Sequence, residues 1–246
     1  MVSKNQIKHV HNLLQKKYRN LHNLFIVEGE KGVNEFLNSN LKLASLFCTE
    51  DFVVNGFKTQ IHRVSETELK KISQLKTPNK VLAVFYKPEQ KQLEDKGFTL
   101  VLDDVKDPGN LGTIIRLCDW FNVTQLICSL ETVDCYNPKV VQATMGSLTR
   151  VSVIYTDILA FLKETKRPCF TAVMDGDNVY KNTFPNEAVL VMGNEANGIS
   201  KTVLNEVKNH LAIPRFNTLE TPESLNVATA TAILLSEFKR PIQMKN

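Results

Sequence analysis

Long apolar runs are missing from this sequence. Nothing approaches the roughly 18 consecutive apolar residues that a membrane-spanning helix requires. The opening residues, MVSKNQIKHVHNLLQ, carry basic side chains but neither the apolar core nor the small-residue cleavage site of a secretory signal. Cysteine is scarce as well: five residues, at 48, 118, 128, 135 and 169, with no CxxC spacing. That excludes a disulfide-built scaffold and fits reduced, buried thiols in the cytosol. Ten glycines and nine prolines are too few for a collagenous or low-complexity chain. No GxGxxG follows a strand-like run and no Gly-rich loop closes on Lys-Ser/Thr, so the dinucleotide fingerprint and the P-loop are both absent. The histidines at 9, 11, 22, 62 and 210 have no metal-ligand spacing. What remains is 246 residues, 43% hydrophobic and 23% charged, sufficient for a sizeable core in one or two domains.

The net charge of +4 is unevenly placed. Residues 1–95 hold 15 Lys and Arg against 10 Asp and Glu, whereas residues 96–246 hold 15 against 16. Within residues 1–27 there are five basic residues (Lys4, Lys8, Lys16, Lys17, Arg19), three histidines and no acid. Such a cluster suits a phosphate backbone; it also suits the solvated side of an amphipathic helix. Ile7, Val10, Leu14, Tyr18 and Leu21 fall at near-helical spacing and predict one helical face there.

A polar stretch, KPEQKQLEDKG (87–97), separates two apolar runs, Val81–Tyr86 and Phe98–Leu102, and reads as a linker between domains at 1–90 and 97–246. Before it, strand-like runs at Phe25–Val27, Ala44–Cys48 and Val81–Tyr86 alternate with helical ones, one opening on the capping-box pattern Ser65-x-x-Glu68. After it, short apolar strands alternate with helices down to a long helix at Ser224–Phe238. That alternation predicts a mainly parallel sheet covered on both faces, and two α/β domains in all.

Three strand ends stand out, because open α/β sheets bind ligands beyond the carboxyl ends of their strands. The first is Leu102-Asp-Asp-Val-Lys-Asp-Pro-Gly-Asn-Leu-Gly112. There Asn110 is placed to cap the following helix, and Arg116 interrupts the apolar series Ile114, Ile115, Leu117. That arginine either snorkels out toward an anion or pairs with Asp103, Asp104 or Asp107. The second is Met192-Gly193-Asn-Glu195-Ala-Asn-Gly198, whose glycines admit a ligand close to the backbone, while Glu195 suits the positive end of the next helix. The third runs from Ile213-Pro214 to Ser224-Leu225-Asn226, with Ser224 as the expected N-cap of a helix whose small residues Ala228, Ala230 and Ala232 allow close packing.

Together, Asn110 with Arg116, Gly193-Asn-Glu195-Ala-Asn-Gly198, and Ile213-Pro214 with Ser224-Leu-Asn-Val-Ala228 resemble, in order, the three motifs of the SpoU family. These are S-adenosylmethionine-dependent RNA ribose 2′-O-methyltransferases of the SPOUT superfamily. The resemblance covers residues 98–240 closely. It implies an α/β-knot catalytic domain with a deep trefoil knot, preceded by a smaller L30e-like α/β domain matched by Lys16-Lys17-x-Arg19 and Phe25-Ile-Val-Glu28-Gly29. It further implies catalytic roles for Asn110, Arg116, Glu195, Ser224 and Asn226. Gly193, Ile213 and Leu225 would contact S-adenosylmethionine, and Lys16, Lys17 and Arg19 would contact RNA. No metal is implied. A homodimer through the catalytic domain, around the Ser224–Phe238 helix, is expected. Structured RNA is the expected partner, with ribosomal RNA favoured over transfer RNA because the L30e-like domain is typical of that branch. The loop Arg215–Glu223 is longer than the family pattern. A non-catalytic RNA-binding or ribosome-assembly protein on the same fold is the rival reading, disfavoured because the five polar site residues occur together. A dinucleotide-dependent oxidoreductase is disfavoured by the missing glycine fingerprint.

Overall fold

In the computed structural model, which describes residues 2–54, 60–216 and 224–243, two helices precede the first strand. They are α1 (Lys4–Asn12) and α2 (Lys16–His22). Ser3 caps α1 with Gln6 as its reciprocal partner. The single helix predicted from the spacing of Ile7 to Leu21 is therefore broken. Gln15 is extended, Leu13 plunges into the core, and Leu21 stays exposed. Arg19 supplies the reason: its Nη1 donates to the carbonyls of Leu13 (2.9 Å) and Leu14 (2.8 Å), just past the end of α1. A cation that satisfies orphan carbonyls holds the turn between the helices.

The chain continues through β1 (Leu24–Glu28), α3 (Glu30–Leu37), β2 (Leu43–Cys48), β3 (Ile61–Arg63), α4 (Glu66–Lys70) and β4 (Val81–Tyr86). The capping box at Ser65 and Glu68 forms as expected. The four strands make a mixed sheet in the order β1-β4-β2-β3, parallel only between β2 and β3. Alternate residues face opposite sides. Leu24, Ile26, Phe47, Leu82 and Val84 pack under Val10, Leu13, Leu69 and Ile72, while Phe25 and Phe85 meet Phe36 on the other side.

Beyond the linker come β5 (Phe98–Leu102), α5 (Pro108–Trp120), β6 (Gln125–Cys128), α6 (Pro138–Thr144), β7 (Ser152–Tyr155), α7 (Ile158–Glu164), β8 (Cys169–Asn178), β9 (Ala188–Met192), α8 (Lys201–Glu206), β10 (Asn209–Ala212) and α9 (Val227–Gln243). The six strands form one wholly parallel sheet, in the order β10-β8-β9-β5-β6-β7. Val101, Ile127, Val189 and Val191 pack against Ile158, Phe161 and Val203 of α7 and α8. Phe238 of α9 is buried in a ring cluster with Phe98, Phe170 and Phe184, at centroid distances of 4.0–5.3 Å. That cluster seats α9 on the sheet. β8 runs past its apolar stretch, through exposed Asp175 and Asp177, and meets β10 again after a register shift at His210/Leu211. A side chain at Gly176 would strike the His210 carbonyl, 2.7 Å away.

The compact units are Met1–Glu89 with Asp134–Thr149, and Gln90–Val133 with Arg150–Asn246. The segment carrying α6 packs with the first of these units. The Tyr136 ring meets Phe25 of β1 there, tilted, at 4.8 Å. No helix among the described residues is long and apolar enough to cross a membrane.

Candidate active site at the strand ends of the parallel sheet

In the parallel sheet the chain winds outward from β5 through β6 to β7, then returns to lay β8, β9 and β10 on the other side of β5. The direction of winding therefore reverses between β5 and β9, the switch point at which open α/β sheets leave a crevice. Two of the three singled-out loops leave the sheet at this point, directly after Leu102 and Met192, which are register partners.

Local chemistry locks the two loops together. The Asp103 carboxylate, buried, accepts the backbone N–H of Ser200 at 2.7 Å. Asn194 donates to the Asp104 carbonyl at 2.7 Å, and its side-chain oxygen accepts the N–H groups of Ala196 and Asn197. The 193–198 loop closes by paired backbone bonds between Asn194 and Gly198, both 2.9 Å. Gly198 has a φ of +66°, a conformation that favours glycine. A side chain at Gly193 would collide with the backbone of Gly198 and Ile199. Gly193 is therefore required for the loop to fold against itself.

Helix α5 begins with Pro108 at its first position and is capped by Asp107, whose carboxylate accepts the Asn110 N–H at 2.8 Å. Asn110 is thus not the cap. Its side chain is free for another role, donating from Nδ2 to Glu195 Oε1 at 2.9 Å. Glu195 also accepts the backbone N–H groups of Lys106 and Asp107, both at 3.3 Å. It serves the positive end of α5 rather than that of the helix following it in sequence. Burial pushes its carboxyl upward, but the Asn110 amide and the backbone donors outweigh this and hold it below its ordinary value.

A carboxylate can only accept, so Asn110 must turn its NH2 toward Glu195 and present its oxygen outward. Asn226 Nδ2 donates to that oxygen at 2.9 Å. The Asn226 oxygen in turn accepts the N–H groups of Ala228 (2.9 Å) and Thr229 (3.2 Å). Asn226 is therefore the cap of α9, where Ser224 was expected; Ser224 and Leu225 lie exposed just ahead of the helix. The polarised chain Glu195–Asn110–Asn226–α9 joins residues up to 116 apart in sequence.

Arg116 is exposed on α5. Each aspartate expected as its partner is engaged elsewhere: Asp103 with Ser200, Asp104 with Lys106, Asp107 as a cap. Of the two alternatives left open by the sequence, the guanidinium takes the exposed one. Ile213 is half-buried and Leu225 is 47% exposed. Phe216, 87% exposed, is a further apolar side chain here that sequence reasoning did not single out. Of the long loop Arg215–Glu223, residues 217–223 lie outside the described residues.

In the first unit, Lys16 and Lys17 are exposed. Arg19 is not: it is 2% exposed, and beyond the two carbonyls it forms an ion pair with Asp134 at 2.7 Å. Its expected contact with RNA is corrected, because every direction its guanidinium bonds is inward.

A parallel sheet with hydrogen-bonded polar loops at its switch point is the architecture in which open α/β domains bind ligands. The family model for the SpoU rRNA methylase family matches residues 97–236, and that for an MRM3-like substrate binding domain matches residues 4–83. The chain belongs to the SpoU rRNA methylase family. It is 31% identical over 245 residues to the 23S rRNA (guanosine(2553)-2′-O)-methyltransferase RlmP of Bacillus subtilis, covering 96% of this chain and 97% of that one. Among solved structures, a TrmH-family protein from Porphyromonas gingivalis superposes with a TM-score of 0.87 at 38% identity, over 98% of this chain and 99% of that one. An AdoMet-bound rRNA methyltransferase from Sinorhizobium meliloti superposes with a TM-score of 0.86 at 26% identity, over 98% and 97%.

Proposed function

We infer that the chain is an S-adenosylmethionine-dependent methyltransferase acting on a ribose 2′-hydroxyl of ribosomal RNA. The observation that supports this reading is the bonded chain Glu195–Asn110–Asn226, which links residues of the three family motifs. Residues there fit the methyl donor. Leu225 and Ile213 offer apolar surface for a flat ring outside the core, and Gly193 and Ile213 offer main-chain groups at two strand ends. When bound, S-adenosylmethionine would supply an electrophilic sulfonium methyl group to the ribose oxygen, its methyl–sulfur bond breaking to leave a neutral thioether.

The chain's own residues orient the substrate for the proton's departure. A guanidinium holds its proton throughout the working pH range and cannot be the base. Arg116, exposed and released from the three aspartates, instead clamps the RNA phosphate beside the reacting ribose, and that phosphate accepts or relays the hydroxyl proton. Asn110, held by Glu195 and Asn226, fixes the head of α5 and hence the placement of Arg116, while Ser224 lies exposed for the substrate. Positioning then supplies much of the acceleration. Lys16 and Lys17 face the RNA from an L30e-like first domain. The trefoil knot and a homodimer through α9 complete the reading, and five thiols free of disulfides suit a cytosolic enzyme.

Mapping 2′-O-methyl positions in ribosomal RNA from cells with and without the protein tests the function. One ribose, with a large-subunit guanosine as the first position to inspect, is expected to lose its methyl in the deletion and regain it on complementation. Identical maps overturn the reading.

A further inference from the structure

The first unit contains a cavity that the methyl-transfer chemistry does not use. It measures about 290 Å³ and is lined by Asn5, Gln6, His9 and Val10 of α1, by Ser45 and Phe47 of β2, and by His62 of β3. Three of these seven residues, His9, Phe47 and His62, carry flat rings. Phe47 and His62 are register partners on adjacent strands, and their rings stack at 4.9 Å with 22° between planes. The His9 ring also meets His22 edge-on at 5.1 Å, and Tyr18 stacks on His22. Burial first, and His22 second, hold His9 below its ordinary value, favouring a neutral ring able to stack.

Polar groups line the same space. The Gln6 carbonyl accepts the Ser3 N–H at 2.9 Å, which leaves its NH2 group to donate. Asn5 is exposed and Ser45 half-buried, adding a second amide and a hydroxyl. Lys4 and Lys8 are exposed on the same helix, and Lys16 and Lys17 on the next, with no acidic residue on either. Flat π-faces, amide donors and acceptors and flanking cations are the chemistry that holds a base splayed out of its stack. A phosphate alone would have no use for the Phe47–His62 platform, and a purely apolar peptide none for the amides and lysines.

We propose that this cavity binds one unstacked nucleobase of the ribosomal RNA substrate, outside the nucleotide that is methylated, and so sets the register of the RNA on the enzyme. The inference rests on the function proposed above and names its recognition site. Asn5 and Gln6 read the edge of the base, His62 on Phe47 provides the stacking face, and the lysines hold the neighbouring phosphates.

Two measurements on the full chain test it. Histidine ring signals are followed by NMR while GMP, AMP, CMP, UMP or ribose 5-phosphate is added. His9 and His62 are expected to shift saturably with at least one nucleotide and not with ribose 5-phosphate; equal shifts with the sugar phosphate make the site an anion patch and overturn the proposal. Binding of unmodified 23S rRNA transcript is then compared among variants. His62→Ala and Asn5→Ala are each expected to weaken it about tenfold with an unchanged salt slope, and His62→Phe to restore most of the loss by keeping the stack. Wild-type affinity in both alanine variants overturns the proposal, and Asn5, being exposed, guards against a folding artefact. Methyl transfer by the wild type to the same transcript is scored separately. No transfer with the nucleotide-specific ring shifts intact defeats the function reading; transfer with no ring shifts defeats the base site alone.

Discussion

The first unit turns the guanidinium of Arg19 inward, onto two carbonyls and Asp134, to hold a helix break. The parallel-sheet unit leaves that of Arg116 exposed, while Asp103, Asp104 and Asp107 are bound to backbone or lysine. Both arginines carry the same charge in similarly suggestive surroundings. What separates them is that the fold turns one onto fixed partners and, among the described residues, leaves the other at the surface. A buried cation without one is too costly to persist, and an exposed one is available to a ligand. Function is therefore to be sought where the molecule leaves a charge exposed beside a hydrogen-bonded scaffold.

The contrast sharpens or breaks in five experiments. Arg116→Ala is expected to lower methyl transfer by about a thousandfold while S-adenosylmethionine binding and the unfolding midpoint persist; near-wild-type turnover would remove the phosphate clamp. Arg19→Ala is expected to cost about 3–5 kcal/mol in urea denaturation, because Asp134 is left largely buried and without its cation. An unaltered midpoint with weakened RNA binding would reverse the roles assigned to the two arginines. Asn226→Ala removes the cap of α9, at a cost of about 1 kcal/mol, and frees Asn110 from its orientation. Turnover is expected to fall about tenfold in parallel, and an intact rate would disconnect the chain of amides from catalysis. Lys16→Gln with Lys17→Gln should flatten the slope of log K against log salt by about 0.7–0.9 for each RNA phosphate that a lysine ceases to neutralise. An unchanged slope takes α2 out of the RNA interface.

The smallest effect concerns pH. Glu195 has its carboxyl depressed in the folded chain, so the stability it contributes is fully present above the ordinary carboxylate value of 4.5 and is lost as pH falls through the lower folded value. Because Glu195 is exposed, solvent screens much of this. Glu195→Gln should make the acid limb of the stability profile slightly shallower below pH 4.5, as urea titrations at a series of pH values would register.

Much of this was legible in the sequence where the cause is local. Apolar strands, the Ser65 capping box and the parallel alternation follow from neighbours a few residues apart. The caps of α5 and α9 did not: Asp107 and Asn110 both suit a cap, as do Ser224 and Asn226, and only the bond from Asn110 to Glu195 decides between them. Arg19 could not be read as buried, because Asp134 lies 115 residues away. The far end of β8 escaped notice because Asp175-Gly-Asp177-Asn is polar; its pairing with β10 rests on Gly176 admitting the His210 carbonyl. The relay at the crevice was visible as a set of residues, but not as a direction of hydrogen bonding.

Methyl transfer to the sugar rather than to a base can be decided in one tube. The purified chain is incubated with radiolabelled S-adenosylmethionine and ribosomal RNA from cells lacking the protein, and the product is hydrolysed with alkali. A ribose 2′-O-methyl group blocks cleavage at its own phosphodiester, so the label is expected in an alkali-resistant dinucleotide. Label recovered wholly in mononucleotides would place the methyl on a base and contradict the chemistry assigned to the crevice.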